Sequence, residues 1–141
     1  MRRTIILGLL ICILIACGDN TNSGTSTQNY SDLSPLEVVN KRMDHFNNHD
    51  YDEFIKLYNA NVEVYTYPDK MMGKGSDRLA AIFESDFKKK SVSVKIMNQM
   101  NNGPYVINHE IVTNNGKETK YISIYKVENG LISSVSFVRE F

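Results

Sequence analysis

Phe46-Asn47-Asn48-His49-Asp50-Tyr51-Asp52-Glu53-Phe54-Ile55-Lys56-Leu57-Tyr58, running on into Val62 to Pro68, is the stretch that decides the fold. Two helices meet inside it. The first carries Leu36, Val39, Met43 and Phe46 at spacings of three and four, a single apolar stripe, and should stop near Asn47-Asn48. Asp50 opens a second, shorter helix, with Glu53 three residues on and an apolar side of Phe54, Leu57 and Tyr58. A strand follows at Val62 to Tyr67 and ends at Pro68, which cannot donate to a ladder.

Working outward, Leu33-Ser34-Pro35-Leu36-Glu37-Val38 reads as a helix start. Ser34 caps, Pro35 fits the first helical position and Glu37 completes a capping box, with Leu33 and Val38 placed for a hydrophobic staple. Downstream, a loop over Pro68 to Gly75 leads to a third helix capped by Ser76 and carrying Leu79, Ile82, Phe83 and Phe87. The remainder is strand-like. Val92, Val94 and Ile96 alternate with polar residues; Tyr105 to Thr113, Tyr121 to Val127 and Leu131 to Val138 follow. Turns fall at Asn101-Asn102-Gly103, Asn114-Asn115-Gly116 and Glu128-Asn129-Gly130, where Asn-Gly pairs favour tight hairpins. Three helices before a meander predict an α+β fold, with the helices packed on one face of a strongly curved, mainly antiparallel sheet.

The chain begins differently. Arg2 and Arg3 precede an apolar run from Ile5 to Ala16, and Leu14-Ile15-Ala16-Cys17 closes it. Twelve residues make a helix of about 18 Å, short of a bilayer. The pattern is that of a bacterial lipoprotein precursor: residues 1–16 an export signal, Cys17 the lipidated N-terminus. Residues 17–32 then form a polar tether, and residues 33–141 one domain. The localisation expected is the cell envelope, with the lipid bilayer as a partner through Cys17. Cys12 and Cys17 are the only cysteines, so the domain folds without disulfides and offers no thiol chemistry. Without Arg2 and Arg3 the chain keeps fourteen basic against sixteen acidic residues, which gives no reason to expect nucleic acid.

The order of elements, with the quoted stretch ahead of Val62 to Pro68, Gly73 and Gly75 in the loop and Tyr121 to Ile132 as a late hairpin, resembles the NTF2-like superfamily, and in style its SnoaL-like branch, which includes the ketosteroid isomerases. The resemblance covers about residues 33–141 and implies a cone in which helices and a bent sheet enclose an apolar pocket. It also implies a sheet face that commonly pairs into a homodimer. In the isomerase branch a catalytic Asp stands just before the Pro that closes the first strand; here that position is Tyr67. The isomerase's oxyanion-stabilising Tyr corresponds to Arg42. A phenol titrating near 10 does not replace a carboxylate as a base at neutral pH. Both departures argue against ketosteroid isomerase chemistry.

Other residues compete for a role. His109 shares a strand side with Tyr105, Ile107 and Ile111, and a histidine among apolar neighbours suits a pocket acid or base, a core position or a dimer interface. Glu110 faces the other way, so the two form no dyad. Glu63, Tyr65 and Tyr67 share a face by their period of two; Glu63 is either a pocket carboxylate or a partner of a rim lysine. The candidate ligand-binding set is Tyr65, Tyr67, Tyr105, His109 and Arg42. His45 and His49 are four apart, but the first helix ends between them and no third ligand is well spaced, so no metal or other cofactor is expected. Lys88-Lys89-Lys90 fits the negative end of the third helix.

Three functions follow. The first is a non-catalytic envelope domain that binds a small apolar or amphipathic ligand or mediates pairing. The second is an isomerase, hydratase or cyclase using His109 or Glu63. The third is a structural partner in an envelope assembly. The missing base at Tyr67 places the first ahead.

Overall fold

In a computed structural model, residues 30–139 are described. The expected export signal, Cys17 and most of the expected tether lie outside the described residues. A short 3-10 turn, Tyr30–Asp32, leads into helix α1, Pro35–Asn48. The Ser34 side chain accepts from the Glu37 backbone N–H, and Glu37 accepts from the Ser34 backbone N–H at 2.8 Å, a complete capping box. The helix stops where expected: His49 takes a left-handed conformation (φ 57°) and its backbone N–H returns to Phe46. Asp50 then caps helix α2, Tyr51–Lys56, accepting from the Glu53 N–H.

Strand β1 spans Tyr58–Thr66 and β2 Lys70–Lys74; helix α3 runs from Ser76 to Lys89. Four long strands complete the chain: β3 Val92–Asn102, β4 Tyr105–Asn114, β5 Lys117–Glu128 and β6 Leu131–Arg139. They form one six-stranded sheet in the order β2-β1-β6-β5-β4-β3. Every neighbour pair is antiparallel except β1 with β6, so the sheet is mixed but mainly antiparallel. The helices pack on one face of this curved sheet, as the order of elements predicts, and form the cone that the resemblance implies.

Three local expectations are corrected. Tyr58, expected on the apolar side of the second helix, instead opens β1. The segment expected to be a loop from Pro68 to Gly75 holds β2, whose Met71 and Met72 stay exposed and so break the alternation that marks a half-buried strand. Gly75, not Ser76, precedes α3, and no side chain caps it; Ser76 is already helical.

The core is aromatic where the three helices meet. Phe54 of α2 stands 4.8 Å from Phe87 and 5.5 Å from Phe83 of α3, and 5.8 Å from Phe46 of α1, centroid to centroid. Edge and tilted contacts of this kind add roughly 0.5–1.5 kcal/mol each beyond area burial. Asn47 holds α1 to the sheet: its side-chain amide donates to the Val94 carbonyl at 3.0 Å and accepts from the Val94 N–H at 2.7 Å. His49 bonds the Val92 carbonyl at 2.9 Å. The Asn47–Asp50 run thus ends one helix, docks it on β3 and starts the next. At the opposite end of the sheet, Gly130 (φ 75°) sits against the Tyr30 carbonyl, where a Cβ would come within 2.1 Å, so the N-terminal turn closes over the β5–β6 hairpin.

Candidate functional site

On β4, Val106, Asn108 and Glu110 are buried while Tyr105, Ile107 and His109 are less so. The alternation places the even-numbered residues under the helices, on the concave face. Register carries this across the sheet. Asn108 stands opposite Ser123, Glu110 opposite Tyr121, and Ser123 opposite Phe137. On the other side, Ile96 opposes Glu110 and Val94 opposes Val112.

A cavity of about 580 Å³ lies between this face and helices α1 and α3. Its apolar wall includes Phe46, Phe83, Val94, Val112 and Phe137; Lys117, Asn115, Asp86 and Arg139 also line it. Two charged side chains, both buried, reach it: Arg42 from α1 and Glu110 from β4.

Arg42 is held by an unusual set of partners. Its Nε donates to the Tyr58 hydroxyl at 2.9 Å and one terminal nitrogen donates to the Met43 sulfur at 3.1 Å. The guanidinium carbon lies 4.8 Å from the Phe46 ring centre, 5.0 Å from Phe54, 5.6 Å from Tyr125 and 5.9 Å from Phe83. Desolvated cation–π contacts contribute about 2 kcal/mol or more. No carboxylate forms an ion pair with it among the described residues. Burial by itself would lower its pKa; Tyr125, Tyr58 and Glu110 more than offset that, and the guanidinium stays charged.

Glu110 has its own cradle. Ser123 Oγ donates to Oε1 at 2.6 Å, and Asn108 Nδ2 approaches Oε2 at 3.4 Å. Both oxygens accept, the pattern of an ionised carboxylate. The network runs on through Asn108 to Gln99 at 2.9 Å, and Gln99 reaches Asn40 on α1 at 2.9 Å. Ser123 lies between Glu110 and Tyr125 and donates to Glu110; the buried Tyr125 hydroxyl makes no hydrogen bond of good geometry among the described residues. Burial pushes the Tyr58 and Tyr125 phenols above their ordinary value near 10.

Of the residues singled out in the sequence, only Arg42 lies in this wall. His109 is turned to the convex face, because it alternates with the buried Asn108 and Glu110. Glu63 is likewise outward: it pairs with Lys74 at 2.8 Å and accepts from the Tyr65 hydroxyl at 2.7 Å. Lys74 and Tyr65 hold its carboxyl below the usual range, so it is a partner of a rim lysine and not a proton donor of the cavity. Tyr65 is spent on that bond, and Tyr67 and Tyr105 are about half exposed, at 56% and 46%. His45 and His49 part company, His45 to Asp50 at 3.3 Å and His49 to the β3 backbone.

Sequence reasoning missed Glu110, Ser123 and Asn108. A regular tight hairpin at Asn102-Gly103 would set Val94 and Ile96 opposite odd-numbered residues of β4. A β-bulge between Ile96 and Asn98 shifts the register so that Ile96 opposes Glu110 and Val94 opposes Val112, and no local signal marks that bulge.

The geometry has known counterparts. An uncharacterised cystatin-fold protein from Novosphingobium aromaticivorans superposes with a TM-score of 0.70 at 19% identity, over 76% of this chain and 99% of that one. A putative ketosteroid isomerase from Kribbella flavida gives 0.65 at 14% identity, over 76% and 78%. An LEH-like epoxide hydrolase from M. tuberculosis gives 0.62 at 14%, over 75% and 82%. At these identities the likeness speaks for the fold alone. No curated protein matches the chain by sequence. The sequence model of the SnoaL-like domain, however, matches residues 39–135, most of the chain. With the cone, its sheet order and this match together, the chain belongs to the SnoaL-like domain family.

Proposed function

We propose that the chain is a lipid-anchored envelope protein whose domain binds a small apolar or amphipathic ligand in the concave cavity. The observation that carries the reading is the wall itself: about 580 Å³ of space lined by apolar side chains, with one buried cation and one buried anion reaching it. Interiors pack tightly and charges are costly to bury, so a space of this size with two charges in its wall is poor economy for a purely structural core. Largely apolar pockets with a few fixed polar groups are the usual form of a ligand site. The anchor rests on Arg2-Arg3, the apolar run and Cys17. Pairing into a homodimer would use the convex face, where Ile107, Ile111, Ile122, Ile124 and Val138 are only half-buried.

Native mass spectrometry of the full chain purified from its own host tests this. The expected result is a stoichiometric small molecule that is lost when Val112→Trp fills the cavity. A chain that is empty in both forms contradicts it.

One observation favours a second, enzymatic reading. Glu110 is a buried carboxylate facing the cavity beside a hydroxyl donor. In a catalytic version of this site the acid–base group is therefore Glu110, in place of His109 or Glu63. Relatives named for isomerase and epoxide hydrolase activity make the class a reasonable frame for substrate screening.

A further inference from the structure

We infer that the cavity selects an uncharged polar head that both accepts from Arg42 and donates to Glu110, of the primary amide or hydroxy-carbonyl class, on an apolar body. The inference rests on the ligand-binding reading above and names the chemistry of that ligand.

The argument is a count of unused hydrogen-bonding capacity. A guanidinium has five N–H donors. Arg42 spends one on Tyr58 and one on a thioether, which is a weak acceptor. The rest of the cation lies among ring faces, which satisfy charge but accept no conventional hydrogen bond. An ionised carboxylate has about four acceptor sites. Glu110 receives Ser123 on one oxygen and a long contact from Asn108 on the other. So donors remain open on one side of the wall and acceptors on the other, and both groups line the same space without forming an ion pair. A group that fits must offer an acceptor and a donor together.

Charge narrows the choice. Of the charged residues that line the cavity, Arg42 and Glu110 are the buried ones, and their charges cancel. An anionic head satisfies Arg42 but adds a second negative charge beside Glu110. A cationic head satisfies Glu110 but adds a second positive charge beside Arg42. Either leaves one uncompensated charge beside the buried Arg42 and Glu110, which is unfavourable; the other charged residues of the wall, Lys117, Arg139 and Asp86, are exposed or half-buried and keep contact with solvent. A hydrocarbon head leaves both groups unmet. Sites that offer buried hydrogen-bonding groups discriminate sharply against analogues lacking the complement.

The experiment is isothermal titration calorimetry of the full chain in lipid nanodiscs at neutral pH, with empty nanodiscs as the blank. The probes share one body and differ in the head: 2-naphthamide, 2-naphthoate, 2-naphthylmethylamine and 2-methylnaphthalene. The amide is expected to bind at least about tenfold more tightly than each of the other three. Glu110→Gln, which removes the negative charge, should raise the naphthoate affinity at least about tenfold. The wild-type series alone decides the matter if that variant fails to fold. Naphthoate, amine or hydrocarbon binding as tightly as the amide overturns the head-group selection and leaves the pocket standing. No heat above the blank for any probe overturns the ligand-binding reading and this inference with it.

Discussion

The two faces of β4 lie a residue apart and follow different rules. The concave face is built from Val106, Asn108, Glu110 and Val112; the convex face from Tyr105, Ile107, His109 and Ile111. By composition alone the convex side is the greasier one. Yet the helices cover the other. Polar groups are tolerated on the concave side because each is met: Asn108 by Gln99, Glu110 by Ser123, and Arg42 by Tyr58 and a ring of aromatics. What lies inside is decided by which face the helices pack on, and the inner face keeps polar residues where they bond to one another.

The contrast is sharpest in the cost of truncation. Arg42→Ala should lower unfolding free energy by about 3 kcal/mol, from lost packing and an orphaned Tyr58 hydroxyl. His109→Ala on the convex side should cost under about 1 kcal/mol. Urea denaturation of both variants reads the difference; equal costs would erase the distinction between the faces.

A smaller effect separates two tyrosines that share the concave side. Tyr58→Phe leaves the Arg42 Nε without its acceptor and should cost about 1–2 kcal/mol. Tyr125→Phe removes a buried hydroxyl with no well-formed hydrogen bond among the described residues, and should be neutral or stabilise by about 1 kcal/mol. Opposite signs in thermal melts are the expected outcome. Destabilisation by both would mean that the Tyr125 hydroxyl has a partner after all.

The smallest effect belongs to the convex side. Lys74 and Tyr65 depress the Glu63 pKa, so its pairing contributes stability above the unfolded value of 4.5, and that contribution fades as pH falls through the lower folded value. The acid limb of the stability curve should therefore be slightly shallower in Glu63→Gln, with no change at pH 7–9 beyond a constant offset. A steeper acid limb would reverse the sign and contradict the pairing. Being exposed, the pair is screened by salt, and the effect should shrink in high salt.

Much of the fold was legible because local signals agreed with one another. The capping box at Ser34 and Glu37, the stop at Asn48, the Asp50 cap and the Asn-Gly turns are each short-range devices, and all appear where the residues call for them. Strand β2 was not legible. Lys70-Met71-Met72-Gly73-Lys74 pairs only with β1 at the sheet edge, keeps its methionines exposed and so shows no alternation. The start of α3 was misread for a related reason: Ser76 offers a cap, but Gly75, at φ 93°, supplies the turn.

The site was half legible. Arg42 stood out because it takes the position that the resemblance gives to the isomerase's oxyanion-stabilising Tyr. Glu110 did not, since Asn108 and Glu110 look like a solvated edge beside Ile107 and Ile111. Only the register with β3 and β5 turns them inward, and that is a long-range property which no window of sequence contains.

The central claim is that the concave side, between Arg42 and Glu110, is where a ligand sits. Backbone amide chemical shifts of the full chain, followed during titration with 2-naphthamide, test it most directly. The account predicts saturable shifts at Val94, Glu110, Val112 and Tyr121, with Ile107, His109 and Ile124 unmoved. Shifts confined to His109 and its convex neighbours would contradict it.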